Sequence, residues 1–338
     1  MNIDPTLESE KSLVIRNILF THYVLRFTFH EEGEKMNLTV IGTSILNLFI
    51  VIALSPLFEG VARKLRATVH SRKGPPIRQP YYDLLKLLSK ENLQSSPNYL
   101  VRLAPLICFA TVILAALLVP MGTAKAPFDA FGDAILFVYL ITLAAVALII
   151  AAASSENPFA FVGASREMMM HLCVEPVLVI ALITAAINTH SLRMGDMLAW
   201  YHIHGPIASM VIAAVFFFLA LQAQVGKLPF DIPEAETEIV GGVFIEQSGP
   251  KYALFRWYMM AKQMVFCFVF VQIFIPWPRF DFVPLDILAN LVKVLVLVSI
   301  IALIDVVNPR LRIDQAVKYY LFLVLFSLGS VAFALIGA

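Results

Sequence analysis

Long apolar runs separated by short polar links fill most of this chain. Eight of them approach twenty residues with few charges: 37–58, 102–121, 134–154, 168–188, 206–224, 257–276, 287–307 and 318–337. A helix rising about 1.5 Å per residue needs roughly twenty apolar residues to cross about 30 Å of hydrocarbon. The runs are continuous rather than alternating, which excludes the strands of a membrane barrel. The pattern therefore predicts an all-α, polytopic membrane protein with about eight transmembrane helices.

Between the first two runs the period changes. "SRKGPPIRQPYYDLLKLLSKENLQSSP" opens on the turn Gly74, Pro75, Pro76 and continues from Tyr81 as an amphipathic helix. Leu84, Leu85, Leu87 and Leu88 are expected on one side, with Asp83, Lys86 and Lys90 on the other. Such a helix lies on the membrane surface or docks a partner. Residues 11–30 are half apolar but interrupted by Lys11, Arg16, His22, Arg26 and His30. No signal-peptide core with a small-residue cleavage site is present there. Residues 1–35 are read either as a leader from a start assigned too early, Met36 opening the first good span, or as an interfacial amphipathic segment. Residues 36–338 are read as one membrane domain.

Composition supports this class: 59% of residues are hydrophobic and only 14% are charged. Mean hydropathy is +0.81. The net charge of +1 argues against nucleic acid as a partner. Basic residues concentrate in alternate links. Arg63, Lys64, Arg66, Arg72, Lys73, Arg78, Lys86 and Lys90 follow the first span, and Arg166, Lys227, Lys251, Arg256, Arg310 and Arg312 join them on that side. The opposite links hold Lys125, Arg193 and Arg279. The positive-inside rule thus places the first set in the cytoplasm and both termini outside.

Against that apolar background "GKLPFDIPEAETEIVGGVFIEQSGPKYALFRW" carries Asp231, Glu234, Glu236, Glu238 and Glu246. Crowded carboxylates repel one another, raising some of their pKa values and letting a proton be shared. The same acids suit a solvated loop that pairs with the basic links, and composition alone leaves both readings open. Glu175 stands inside a span, directly before Pro176, which frees the carbonyl of Leu172. A carboxylate at that depth costs about 2.5–3.5 kcal/mol on insertion scales and points to a bundle interior or a hydrated pocket. Lys262 can snorkel, whereas Lys293 is expected to need a carboxylate partner. Asp305, Arg310, Arg312 and Asp314 read as a structural ion-pair cluster. Cys108, Cys173 and Cys267 stand singly within spans, so no ligand spacing for zinc or an iron–sulfur cluster exists and no metal is expected. His190, His202 and His204 are read as solvated.

"PFDIPEAETEIVGGVFIEQSGPKYALF", together with "RKGPP", "ASREMMMHLCVEPV" and "PRLRIDQ", resembles the respiratory complex I subunit 1 family in order and spacing from Met36 to the end. In the quinone-reducing branch a Glu and an Arg precede the acidic signature. Here Gln224 and Lys227 stand at those places. The shorter first link is similar to that of membrane anchor subunits of group 4 energy-converting nickel–iron hydrogenases, including formate hydrogenlyase.

The resemblance implies a non-catalytic membrane subunit that docks peripheral hydrogenase large and small subunits and joins antiporter-like membrane subunits. The docking residues would be Arg72, Lys73, Gly74, Gln79, Tyr82, Asp83 and Lys86. Glu175, Asp231, Glu234, Glu236, Glu238 and Glu246 would form an acidic path linking redox chemistry to proton or sodium movement. The nickel–iron centre and iron–sulfur clusters are expected in the partners, none in this chain. The alternative is the quinone-site subunit of an NADH:quinone oxidoreductase. A free-standing transporter would carry internal repeats with paired broken helices, and the sequence has no convincing repeat.

Overall fold

In the computed structural model, residues 38–93, 98–121, 126–129, 132–280 and 282–337 are described. The leader 1–35 and Lys125 lie outside them. Contacts divide the chain at Ile41: of Met1–Ile41 only the start of the first helix is described, and Gly42–Ala338 forms the other unit.

Twelve α-helices make up the described residues: α1 (Leu38–Phe49), α2 (Ser55–Val69), α3 (Gln79–Leu88), α4 (Tyr99–Leu118), α5 (Ala134–Ala153), α6 (Pro158–Thr189), α7 (Met194–His204), α8 (Ala208–Gln224), α9 (Glu236–Ile239), α10 (Gly249–Phe274), α11 (Val283–Val307) and α12 (Ile313–Ile336). A π-helical segment, Ile50–Leu54, joins α1 to α2, and a 3₁₀ turn, Gly242–Phe244, follows α9. Among the described residues seven spans are long and apolar enough to cross a membrane, and the shorter Ala208–Gln224 completes the eight expected.

Several spans outrun the apolar runs that announced them. The first continues to Val69 and the sixth starts at Gly249, so Arg63, Lys64, Arg66, Lys251 and Arg256 ride on helices rather than in links. Long basic side chains lay apolar stems along a helix while their heads reach water, so an apolar run ends before its helix does. The fourth starts at Pro158, where the Asn157 side chain accepts from the Phe159 amide at 2.9 Å.

α10 is the hub. It packs on α2, α3, α4, α7, α8 and α11, and 83% of its most apolar window is buried within the protein. α12 lies on α6 and α8 and leaves Phe322, Leu325 and Phe326 exposed, as a lipid-facing helix does.

Prolines organise the end of the bundle that carries the acidic stretch. Pro56 has no amide hydrogen, so the Ile52 carbonyl one turn earlier lacks its helical donor. Trp257 Nε1 of α10 donates to it at 3.0 Å. The Tyr81 hydroxyl of α3 donates to the neighbouring Ala53 carbonyl. Pro105 likewise frees the Val101 carbonyl, which accepts from Gln247 Nε2 at 3.3 Å. Each breach in a helical ladder thereby becomes a tie to another element.

The amphipathic helix differs from its sequence reading. Leu84 and Leu87 pack on Ala253, Trp257 and Met260 of α10, while Leu85 and Leu88 are exposed. At helical spacing the four leucines span too wide an arc for one buried face.

Candidate functional site

The acidic stretch is folded against the bundle by three ties. The Asp305 carboxylate of α11 accepts from the Leu228 amide at 2.9 Å. The Leu311 amide donates to the Pro229 carbonyl at 3.0 Å. Arg310 bridges Asp231 at 2.7 Å and reaches Thr237. The chain then runs close over α6, where Gly163 is required: a Cβ there would lie 2.7 Å from the Val243 nitrogen.

These ties distribute the five acids unequally. Glu238 pairs with Arg166 at 2.7 Å on the surface, and the Arg166 hydrogen bond holds its carboxyl below the usual range against slight desolvation. Glu246 accepts from Asn157 Nδ2 at 2.7 Å. Glu236 is exposed. Only Asp231 and Glu234 line the cavity that lies beneath the loop. Burial raises the Asp231 carboxyl, with Arg310 pulling the other way. Glu234 is pushed up to about 8, first by burial and then by the neighbouring Asp231 charge.

The cavity is small, about 50 Å³, with room for on the order of a few water molecules. Besides the two acids its polar lining is Glu167 and His171 of α6, Gln224, and Tyr258 and Lys262 of α10. Lys262 is buried there rather than snorkelling, with its ammonium 5.8 Å from the Tyr258 ring centre.

Glu175 stands one turn beyond His171 on α6. Its carboxylate lies 3.3 Å from His171 Nε2 and accepts from the Thr142 hydroxyl. That nitrogen is buried and, though close, makes no hydrogen bond. The carboxylate is not inside the bundle: with a quarter of its side chain exposed, it lines an apolar groove of about 610 Å³ between α5 and α6. Leu172 and Pro176 line the same groove. His171 therefore stands between the small cavity and the outward groove.

A second network, invisible as a motif, surrounds Glu59. The side chain is buried and meets Arg63 at 3.4 Å, Arg66 at 2.8 Å and Lys227 at 3.3 Å. Arg66 continues to Asp305 at 3.0 Å, and Arg63 to Asp83 at 2.8 Å. The expected cluster at 305–314 is thus not self-contained. Arg310 and Asp305 each serve partners on other elements, and only the exposed Arg312 and Asp314 meet each other, at 3.6 Å. Lys293 has no carboxylate partner in its hydrogen bonds. It donates to the Ile275, Pro276 and Pro278 carbonyls and to Asn290 Oδ1, closing the end of α10.

Of the residues expected to dock a partner, Arg72, Lys73, Gly74, Tyr82 and Lys86 are exposed on the turn and on α3. Gln79 and Asp83 are tied together at 3.0 Å and to Arg63. Desolvation raises the Asp83 carboxyl, and the Arg63 and Gln79 hydrogen bonds outweigh it, leaving it lowered. His190, His202 and His204 are exposed, as expected.

Residues 41–336 match the NADH dehydrogenase family. Formate hydrogenlyase subunit 4 of Escherichia coli K12 is 32% identical over 80% of this chain and 91% of its own length. Hydrogenase-4 component C of the same organism is 35% identical over 68% of this chain and 74% of its own. An NADH-quinone oxidoreductase subunit of Rubrobacter xylanophilus is 29% identical over 84% of this chain and 90% of its own. A chain of the membrane-bound sulfane sulfur reductase, an archaeal respiratory membrane complex, superposes with a TM-score of 0.79 at 26% identity, covering 88% of this chain and all of that one.

Proposed function

The chain belongs to the NADH dehydrogenase subunit 1 family, and from that membership we propose that it is the membrane anchor and energy-coupling subunit of a membrane-bound hydrogenase complex of the formate hydrogenlyase type. The two Escherichia coli hydrogenase-complex relatives support that branch. So does Gln224, a neutral group in the cavity wall where the quinone-reducing branch resembles this chain but carries a glutamate. Lys227, at the other departure, is engaged with buried Glu59.

In this reading the peripheral large and small subunits dock on the loop end of the bundle, which faces the cytoplasm of a prokaryotic cell, and antiporter-like subunits adjoin the membrane faces. The partners hold the nickel–iron centre and the clusters. This chain's own part is protonic. Glu234 keeps a proton near neutral pH because burial and Asp231 disfavour its charge. The observation that carries the coupling role is the place of His171, which lines the cavity with Glu234 and lies 3.3 Å from Glu175. An imidazole can accept a proton at one nitrogen and release one at the other. Charge changes at the docked arm would bias the Glu234 proton, and His171 would relay that bias to Glu175 and the groove.

The test is a mild-detergent purification of the tagged chain, with mass spectrometry of its partners and a hydrogen-evolution assay. A nickel–iron large subunit with activity is the expected result. Recovery with quinone-reductase subunits instead would move the chain to the quinone-site role.

A further inference from the structure

We infer that the groove between α3 and α10 is a binding site for an anionic glycerophospholipid, held by its phosphodiester. The groove encloses about 220 Å³. Arg63, Lys86, Lys90 and Arg256 stand around its rim. Its one carboxylate, Asp83, is already engaged by Arg63 and Gln79. Lys86 is exposed on α3 and Lys90 is exposed two residues past its end, and no carboxylate forms an ion pair with either among the described residues. The floor is apolar, formed by Leu84, Leu87 and Met260. Outside the rim, Tyr82 and Leu85 leave 57% and 63% of their surfaces open.

This chemistry selects its occupant. Lysine and arginine offer donors only, and a phosphodiester offers acceptors only. An uncharged polypeptide strand in the same groove would leave Lys86 and Lys90 without a counter-charge. Acyl chains, unlike a soluble phosphate, would also cover the adjoining Tyr82 and Leu85 edge. Basic pockets beside membrane spans suit anionic headgroups on general electrostatic grounds. The site asks only that the chain be in a membrane, but it shares Tyr82, Asp83 and Lys86 with the face expected to dock a partner, so lipid and partner would compete for that edge.

The test uses the full chain in its purified complex, reconstituted in nanodiscs of phosphatidylcholine with or without phosphatidylglycerol. Native mass spectrometry then reads the lipid retained after mild delipidation. Wild type is expected to retain phosphatidylglycerol over phosphatidylcholine, undiminished by added inorganic phosphate. Lys86→Gln with Lys90→Gln is expected to lower that retention by about tenfold or more, since both charges facing the phosphodiester are removed. The arginine pair Lys86→Arg with Lys90→Arg and the control Lys64→Gln are expected to keep it. Equal retention by the glutamine pair, no preference over phosphatidylcholine, or displacement by free phosphate would overturn the assignment. So would a cross-link from Lys90→Cys to a partner subunit through the groove.

Discussion

Glu234 is the residue whose charge the fold resists most clearly outside the spans. Its carboxyl moves from 4.5 up to about 8. Between those values the folded protein holds a proton that the unfolded chain has released, so this group's contribution to stability falls as pH rises through the window. Glu234→Gln mimics the protonated form at every pH. Its melting temperature by scanning fluorimetry should match wild type near pH 4.5 and exceed it increasingly towards pH 8.5; a constant gap would show that the shift is absent. Glu59 presents the opposite case, a buried carboxylate whose three cations depend on it. Removing one partner of a buried ionic network typically costs about 3–5 kcal/mol. Glu59→Ala should therefore be among the most destabilising single changes at the loop end, measured by urea-dependent unfolding in detergent, whereas Glu238→Gln should alter stability by about 1 kcal/mol or less because its pair is exposed.

At the scale of elements, the joints between helices are set by prolines and the donors that answer them. Trp257→Phe keeps an aromatic ring but leaves the Ile52 carbonyl without its 3.0 Å donor. The expected cost is about 1–3 kcal/mol, with hydrogen exchange rising locally around the π-helical segment Ile50–Leu54. Unchanged exchange there would mean that the tie does not hold the joint. The sequence announces half of each such joint. Pro56 and Pro105 name the freed carbonyls by the one-turn rule, but nothing along the chain points to Trp257 or Gln247 as donors, since each comes from a distant element. The same limit explains the helix ends. Apolar runs located all eight spans, whereas the basic turns at Arg63 to Arg66 and Lys251 to Arg256 read as links because hydropathy reports side-chain heads rather than backbone.

At the scale of the whole molecule, the polar groups that the chain scatters come together only after folding. Glu175 and the acidic stretch are legible as anomalies in an apolar chain. His171 and Glu167, one and two turns before Glu175 on α6, are equally anomalous, and their helical spacing towards Glu175 was the available signal. Glu59 carries no comparable signal, because it sits among arginines that make its stretch look like a solvated link. Folding separates what sequence grouped: Asp231 and Glu234 face the cavity, Glu175 faces the groove, Glu238 and Glu246 tie the loop in place, and Glu236 is exposed.

In the proposed coupling role, His171 and Glu175 connect the cavity to the membrane face and link the complex's chemistry to ion movement. The most direct measurement is the ion gradient built per hydrogen evolved in membrane vesicles, comparing wild type with Glu175→Gln in complexes shown to be intact. Hydrogen evolution is expected to persist while the gradient per hydrogen collapses, as this coupling role requires. A Glu175→Gln complex that builds the wild-type gradient per hydrogen would contradict it.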